Sequence, residues 1–292
     1  MSALVRGRGG LGDAIYARPF VKAVLKTTDE VWVETSWPDI FSDLDVRCVK
    51  RRGGLAVQAF HGDLQPAETW ADAPEQPDAV VSLRYEWRAL QRGVSVLAEM
   101  ERASGLKPKL VLDLPPLPGS PVPGRYAVVR PPAVRKDYPA PAREPDPAYL
   151  ARAADMLRER GLRVVTLGYW VDGLEEPAGQ VAADVRFERG ELTLPQALAL
   201  VAGAELVVSG PCWLLPATLA TGTPSVVIAG GCGGRNSPEA LVDKRLAARH
   251  VRWLLPRRYC RCRMRYHGCS KDIRGFEGLF ARMLPPAQAR AA

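Results

Sequence analysis

The chain has 292 residues, of which 47% are hydrophobic and 25% charged, and its formal net charge is +8. This composition is typical of a soluble globular protein, and the length is sufficient for two domains of ordinary size. No apolar run is long enough to cross a bilayer, and the N-terminus lacks a signal-peptide pattern. These features argue against a membrane-spanning or secreted protein and predict a cytosolic one.

The chain begins with a short apolar run that leads into a glycine-rich turn and then into a helical pattern. The turn reads Gly7-Arg8-Gly9-Gly10-Leu11-Gly12-Asp13. Glycines let the backbone approach a ligand closely, and the free N–H groups of a helix start favour an anion. Asp13 is either a helix cap or a carboxylate placed to take a proton from a hydroxyl. The spacing does not fit the dinucleotide-binding fingerprint.

Strand-like and helix-like segments alternate through the first 114 residues. Strands are predicted at 31–35, 46–50 and 78–83, helices at 38–44 and 87–104, and irregular structure at 51–77. Such alternation predicts a mostly parallel sheet covered on both faces. Residues 114–124 contain five prolines, which exclude a helix or a central strand, so 115–124 is predicted to be a linker.

The second half repeats the same alternation. Strands are predicted at 126–130, 163–168, 205–208 and 225–229, and helices at 147–160, at 193–202, after 209–211, and at 271–283. The predicted organisation is an N-terminal domain at 1–114, the linker at 115–124, a second domain at 125–270, and a C-terminal helix and tail at 271–292. Two doubly wound α/β domains joined in this way favour a ligand cleft between them.

Positive charge is concentrated near the C-terminus. Between Arg249 and Arg274 there are nine Lys or Arg residues and one acid, Asp272, with Tyr259 and Tyr266 interleaved. This pattern suits a polyanionic partner such as nucleic acid, an anionic glycolipid or a membrane surface contacted peripherally. A solvated surface without a partner is the alternative.

Four potential metal ligands lie in the same basic stretch. Cys260, Cys262, His267 and Cys269 form a C-x-C-x4-H-x-C pattern that could hold a structural zinc ion. The spacing differs from the usual C-x2-C pairs, so reduced structural thiols or a local disulfide formed on oxidation are alternatives. Six cysteines in a cytosolic chain argue against a disulfide framework.

Three stretches together resemble a known family. Gly10-Leu11-Gly12-Asp13, with Pro19 six residues later, is similar to a G-x-G-D-x5-P start, and Lys136-Asp137-Tyr138-Pro139 is similar to a lysine followed by Trp-Pro. Residues 194–230 follow the order helix, strand, small-residue turn, helix, G-x-P, strand. In these motifs and their order the chain resembles the family 9 glycosyltransferases, which are heptosyltransferase-like enzymes with the GT-B fold.

The resemblance implies two Rossmann-like domains facing each other across a cleft, and inverting transfer from a nucleoside-diphosphate sugar. It implies Asp13 as the general base on the acceptor side. The expected donor-binding residues are Gly10, Gly12, Arg130, Arg135, Lys136, Ser209, Gly210 and Pro211. Cationic side chains and helix N–H groups would neutralise the phosphates, so no cofactor is expected to be required.

The chain departs from the family at the turn of the second domain. Val208-Ser209-Gly210-Pro211 lacks the acid that family members often carry there, and Pro216 stands near the position of their histidine. The resemblance therefore does not carry over the identity of the donor, ADP-heptose in particular.

Several functions fit these observations. The polyanionic acceptor of a glycosyltransferase would be the phosphorylated lipopolysaccharide core or DNA carrying hydroxymethylated bases. A nicotinamide-dependent oxidoreductase would share the strand–turn–helix units, although its ribose-binding acid is ambiguous. A non-enzymatic, basic nucleic-acid-binding protein with a Cys/His knuckle would explain residues 249–274 but would leave both α/β halves without a role.

Overall fold

The computed structural model describes residues 1–286, and its first sheet is formed by four parallel strands. They are β1 (Ser2–Arg6), β2 (Glu30–Thr35), β3 (Arg47–Lys50) and β4 (Ala79–Ser82), in the order β3-β2-β1-β4. Ala3 in the central strand β1 pairs with Val31 on one side and Ala79 on the other. The middle of β1 is wholly apolar because a parallel sheet is covered on both faces.

The helices of this half are α1 (Leu11–Val24), α2 (Ala56–Asp63), α3 (Trp87–Gln91) and α4 (Val96–Ser104). The irregular structure predicted for 51–77 is wrong where α2 forms. The single helix predicted at 87–104 is also wrong. Gly93 lies in the left-handed region at φ 82°, and the Ser95 hydroxyl caps a new helix by accepting from Ala98 N–H. At 38–44 only a 3₁₀ turn forms, Pro38–Phe41.

The second sheet has six parallel strands in the order β12-β11-β10-β5-β7-β9. In chain order, the strands of this half are β5 (Tyr126–Val129), β6 (Ala133–Arg135), β7 (Arg163–Leu167), β8 (Glu175–Pro177), β9 (Val185–Phe187), β10 (Leu206–Ser209), β11 (Ser225–Ile228) and β12 (Val251–Leu254). β6 and β8 form a separate antiparallel ribbon. The predicted strands are confirmed, and the edge strands β9 and β12 were not predicted because Arg186 and Arg252 interrupt their short apolar runs.

The helices here are α5 (Pro147–Glu159), α6 (Leu194–Ala202), α7 (Leu214–Thr221), α8 (Gly233–Asn236), α9 (Pro238–Leu241) and α10 (Phe276–Ala281). The predicted helix over 193–202 is confirmed, with Thr193 and Gln196 forming a capping box. The helix predicted at 271–283 is wrong in length, because the chain turns through Gly275 at φ 68° before α10 begins. Residues 287–292 of the predicted tail lie outside the described residues.

The two halves share one continuous cluster of buried side chains. It joins Ile15 and Phe20 of α1 to Val128 of β5 and Leu198 of α6. The fold class predicted from the sequence, α/β with two parallel sheets, is confirmed, whereas the domain boundaries at 114 and 125 stay a prediction. Among residues 1–286, no helix has the length and apolar character that crossing a membrane requires.

Arg18 of α1 is a fully buried charge that ties several segments together. Its guanidinium donates hydrogen bonds to Asp43 at 2.8 Å and to Asp113 at 3.0 Å, and also to the Ile40 carbonyl. Asp113 immediately precedes the proline-rich segment, so the ion pair between Arg18 and Asp113 fixes that segment against α1. A buried guanidinium is tolerated because several acceptors satisfy it.

This arrangement predicts a pH-dependent contribution to stability. The Arg18 hydrogen bond lowers the pKa of Asp43, so its contribution is present above the unfolded-state pKa and is lost as pH falls through the folded-state pKa. Asp43→Asn should reduce the free energy of unfolding at pH 7 by about 1–3 kcal/mol. The difference from wild type should shrink below pH of about 4. Urea unfolding at both pH values tests this.

Asp45→Asn is the matched control, because Asp45 is exposed and has no ion pair among residues 1–286. An Asp43→Asn variant that unfolds like Asp45→Asn at pH 7 would contradict the assignment.

Candidate functional site

A cavity of about 870 Å³ lies where the carboxyl ends of the two sheets face each other. Its walls come from the loops after β1, β2, β3 and β4 on one side, and from the loops after β5, β7, β9, β10 and β11 on the other. Open parallel sheets bind ligands at this edge, because the loops there carry side chains that can vary without disturbing the core. The cavity is the candidate active site.

The cavity brings together most, but not all, of the predicted site residues. The predicted residues that line it are Gly10, Gly12, Asp13, Arg130, Arg135 and Pro211. Lys136 does not line it and is exposed. Ser209 is buried at the end of β10, and a Cβ on Gly210 would lie 2.8 Å from Pro145 Cδ, so these two residues shape the turn. The functional roles of all these residues stay predictions.

Gly12 has a packing role at the bottom of the cavity. A Cβ on Gly12 would lie 3.1 Å from Pro216 Cγ and 3.5 Å from Trp213 Cα. The glycine therefore lets the start of α1 lie directly against the start of α7. Pro216, the position at which the chain departs from the family pattern, is the residue that meets it.

Asp13 is the third residue of α1, whose N-cap is Gly10, so the interpretation of Asp13 as the cap is wrong. The Tyr85 hydroxyl donates a hydrogen bond to Asp13 Oδ1 at 2.9 Å. Burial raises the pKa of Asp13, and the Tyr85 hydrogen bond and the Arg8 charge oppose part of that rise. A carboxylate with a raised pKa accepts a proton more readily, which suits a general base.

Tyr85 was not predicted as a site residue, because it is 72 positions from Asp13 in the sequence. Arg8 holds it in place: the Arg8 guanidinium lies 4.5 Å from the Tyr85 ring centroid and donates to the Tyr85 carbonyl at 2.9 Å. Arg8 belongs to the glycine-rich turn, and this place in the sequence is the signal that could have marked Arg8 as a site residue.

Arg130 and Arg135 share one acid in the cavity wall. Arg130 Nη2 lies 2.8 Å from Glu175 Oε1, and Arg135 Nε lies 3.2 Å from Glu175 Oε2. Burial alone would raise the pKa of Glu175, but the two arginines outweigh it and the pKa is lowered. Glu175 is therefore ionised and neutralises part of their charge. Three further arginines line the second half of the cavity: Arg143, Arg235 and Arg265.

An aromatic wall crosses the cavity from one half to the other. The ring centroids of Trp37 and His61 are 4.6 Å apart, and those of His61 and Tyr169 are 4.7 Å apart. Burial lowers the pKa of His61 to about 4, so the imidazole is neutral at pH 7. The wall offers an uncharged stacking surface beside the cationic one.

The predicted Cys/His ligands converge on one point. One ligand atom from each of Cys260, Cys262, His267 and Cys269 lies within 4.8 Å of the others. Cys262 Sγ is 3.5 Å from Cys269 Sγ, and His267 Nδ1 is 3.3 Å from Cys269 Sγ. Tetrahedral zinc with Zn–S bonds of about 2.3 Å separates its ligand atoms by roughly 3.5–3.8 Å, so the donor set fits a metal ion. The cysteines are free thiols rather than a disulfide.

Several arginines of the basic segment are exposed outside the cavity. Arg257, Arg258 and Arg263 are exposed, and the exposed fraction of Tyr266 is 67%. The D-x-D sequence at Asp43-Leu44-Asp45 also lies outside the cavity lining, with Asp43 paired to Arg18.

Comparison with known proteins gives matches among solved structures only. No protein-family model and no curated protein matches the chain. The E. coli ADP-heptose LPS heptosyltransferase II has a TM-score of 0.56 at 16% identity, over 97% of this chain and 98% of that one. A family 9 glycosyltransferase from Veillonella parvula has a TM-score of 0.51 at 13% identity, over 87% and 86% of the two chains.

The iron-containing dodecameric glycosyltransferase TibC from enterotoxigenic E. coli has a TM-score of 0.55 at 13% identity. That match covers 77% of this chain but 57% of TibC, so the chain spans little more than half of TibC's length. The fold is thus that of a GT-B-type glycosyltransferase. More narrowly, it is the fold of the family 9, heptosyltransferase-like structures, and the resemblance indicated by the sequence motifs is confirmed at the level of fold.

Proposed function

We propose that the chain is a cytosolic, inverting glycosyltransferase that moves a sugar from a nucleoside-diphosphate sugar to a hydroxyl of a polyanionic acceptor. The observation that carries the proposal is the Asp13 carboxylate, with its raised pKa, in a cavity whose other half is cationic. We assign residues 1–114 to the acceptor side, residues 125–270 to the donor side, and residues 115–124 to the linker.

In the proposed reaction Asp13 takes the proton of the acceptor hydroxyl as its oxygen attacks the anomeric carbon. The new glycosidic bond forms on one face while the bond to the nucleoside diphosphate breaks on the other, and the leaving group carries away the electron pair. Cationic side chains on the donor side stabilise the charge that develops on the phosphates. Lys136 could join them only if its exposed side chain turned into the cavity.

The fold and the charge of the cavity support the proposed class of donor. TibC has been solved in complex with ADP-D-β-D-heptose, at a TM-score of 0.53 and 16% identity to this chain, which supports a nucleotide sugar as the donor here. Pro216 stands where family members often carry a histidine, so a panel of nucleotide sugars, rather than ADP-heptose alone, is the appropriate substrate set.

The exposed basic segment supports the proposed class of acceptor. Arg257, Arg258 and Arg263 lie outside the cavity, where they would attract a large anion rather than the donor. The phosphorylated lipopolysaccharide core, which implies peripheral contact with a membrane, and DNA carrying hydroxymethylated bases both have this character.

The test is transfer itself. The wild-type protein, incubated with a panel of nucleotide sugars and both acceptor types, should add one sugar mass to one acceptor. Asp13→Asn should slow transfer by about 10²- to 10⁴-fold, because a general base contributes that much, while donor binding persists. Mass spectrometry of the acceptor and calorimetry of donor binding are the measurements.

Asp13→Asn should also leave the melting temperature at pH 7 unchanged or raised. The pKa of Asp13 is higher in the folded state than in the unfolded state. At pH values above the unfolded-state pKa the ionised carboxylate therefore lowers stability, and the amide of asparagine removes this effect.

An Asp13→Asn variant with full transfer activity would remove Asp13 from the mechanism.

The hydrogen bond from Tyr85 gives a second prediction, on pH dependence. It opposes the rise in the Asp13 pKa, so Tyr85→Phe should raise that pKa further. The acidic limb of the kcat/KM profile should then move to higher pH by about one unit. Tyr16→Phe is the matched control, because the Tyr16 hydroxyl donates to the Leu241 carbonyl. Superimposable profiles for Tyr85→Phe and wild type would refute a positioning role.

We further propose that Cys260, Cys262, His267 and Cys269 hold one structural metal ion outside the reaction path. Three thiolates and one imidazole suit tetrahedral zinc, and thiolates also bind iron, the metal named for TibC. The four side chains do not line the cavity, which supports a structural role.

Protein purified without chelator, or reconstituted, should contain about one metal ion per chain by elemental analysis. Cys262→Ser should lose the metal and lower the melting temperature. Cys48→Ser, at a cysteine in β3 far from the cluster in sequence, should leave the metal content unchanged. Metal content near zero after reconstitution with both zinc and iron would rule the site out.

A further inference from the structure

Two arginines from distant parts of the chain meet around one aromatic ring in the donor half of the cavity. Arg235 Nη1 donates a hydrogen bond to the Tyr138 hydroxyl at 3.1 Å, and the Arg265 guanidinium lies 4.3 Å from the centroid of the same ring. All three side chains line the cavity. We call Arg235 and Arg265 the arginine clamp.

We propose that the arginine clamp binds the diphosphate of the donor and that the Cys/His turn, residues 260–269, holds Arg265 in place for that task. The inference rests on the proposed function, because it names the residues that bind the phosphates of the proposed donor. None of these residues was assigned a donor-binding role from the sequence.

The charge balance of the second half of the cavity favours these two arginines over the other three that line that half. Arg130 and Arg135 share Glu175, and Arg143 pairs with Glu144 at 3.2 Å. Within residues 1–286, neither arginine of the clamp has a carboxylate within ion-pair distance. Their positive charge is therefore available to a ligand.

A buried donor of the clamp also lacks a partner. Arg235 Nε is inaccessible to solvent and makes no hydrogen bond within the described part of the chain. On its other side, the Arg235 guanidinium stacks 4.4 Å from the Trp87 ring centroid, so the ring and Tyr138 fix its plane. Two guanidinium groups held around one ring repel each other, and an anion between them relieves that repulsion. Phosphate oxygens match the forked donors of arginine.

The Cys/His turn determines where Arg265 lies. Arg265 stands between Cys262 and His267 in the sequence, and its carbonyl accepts a hydrogen bond from Ala142 N–H at 2.8 Å. Gly233 N–H donates to the Cys260 carbonyl at 2.8 Å, and Gly234 N–H donates to the Cys262 carbonyl at 3.0 Å. The turn is thus joined by its backbone to the loop that carries Tyr138 and to the segment that carries Arg235.

Glycines after β11 allow the Cys/His turn to pack closely against the segment that follows this strand. A Cβ on Gly231 would lie 2.5 Å from Cys269 Sγ, and one on Gly234 would lie 2.7 Å from the Arg261 carbonyl. Larger residues would push the turn away from the sheet and withdraw Arg265 from the cavity. A metal ion bound by the four ligands would fix the same turn from its other side, because it joins both ends of the segment that contains Arg265.

The first arm of the test measures binding of nucleoside diphosphates, with ADP, GDP and UDP as probes, by calorimetry on the full chain. Arg235→Gln and Arg265→Gln should each weaken binding of the preferred probe by about tenfold or more, since a charge-assisted hydrogen bond contributes on that scale. Arg265→Lys should bind between Arg265→Gln and wild type. Arg263→Gln, exposed in the same turn and outside the cavity, should bind like wild type.

The second arm tests the role of the turn. Removing metal from the wild type with a chelator, and separately Cys262→Ser, should each weaken binding about as much as Arg265→Gln. The double variant Cys262→Ser with Arg265→Gln should bind no worse than either single variant, because both changes remove the same contact. Thermal melts confirm that each protein is folded at the binding temperature.

The outcomes distinguish a failure of the clamp from a failure of the proposed function. Wild-type binding of a nucleoside diphosphate with unchanged affinity in both clamp variants overturns the clamp and leaves the proposed function standing. Additive losses in the double variant overturn the positioning role of the turn. A wild-type protein that binds none of the probes overturns the proposed function itself.

Discussion

The close contact between the starts of α1 and α7 is the constraint on which the candidate site depends. Gly12 has no side chain, so Pro216 and the backbone of Trp213 can lie against it. This contact brings the glycine-rich turn of the first sheet to the equivalent turn of the second. The cavity lies beside this contact, and both Gly12 and Pro216 line it. Gly12 thus contacts the second helix as well as lining the cavity, and its role toward a ligand stays a prediction.

Electrostatics divides the cavity into two parts. On the first side burial raises the proton affinity of Asp13, and Tyr85 and Arg8 limit that effect. On the second side arginines outnumber the acids, and Glu175 is ionised between two of them. A desolvated carboxylate facing a cationic wall is the arrangement on which the proposed transfer reaction rests.

The basic segment near the C-terminus serves two structural purposes rather than one. Part of it faces outward, with exposed arginines and the exposed ring of Tyr266. Another part turns inward, because the Cys/His turn packs on the glycines after β11 and carries Arg265 to the cavity. A charge count along the sequence cannot separate these parts, since Arg263 is exposed outside the cavity while Arg265, two residues later, lines it.

The sequence by itself determined the alternation of strands and helices, the glycine-rich turn before α1, and the clustering of the four Cys/His ligands, because each depends on neighbours within one turn or one strand. Only the tertiary structure decided that Tyr85 holds Asp13, that Arg235 meets Tyr138 from 97 positions away, and that Lys136 faces outward. It also decided that helix 87–104 breaks at Gly93. Contacts between distant segments leave no periodic signal in the chain, since they arise from how the two sheets pack, and packing depends on all their side chains together.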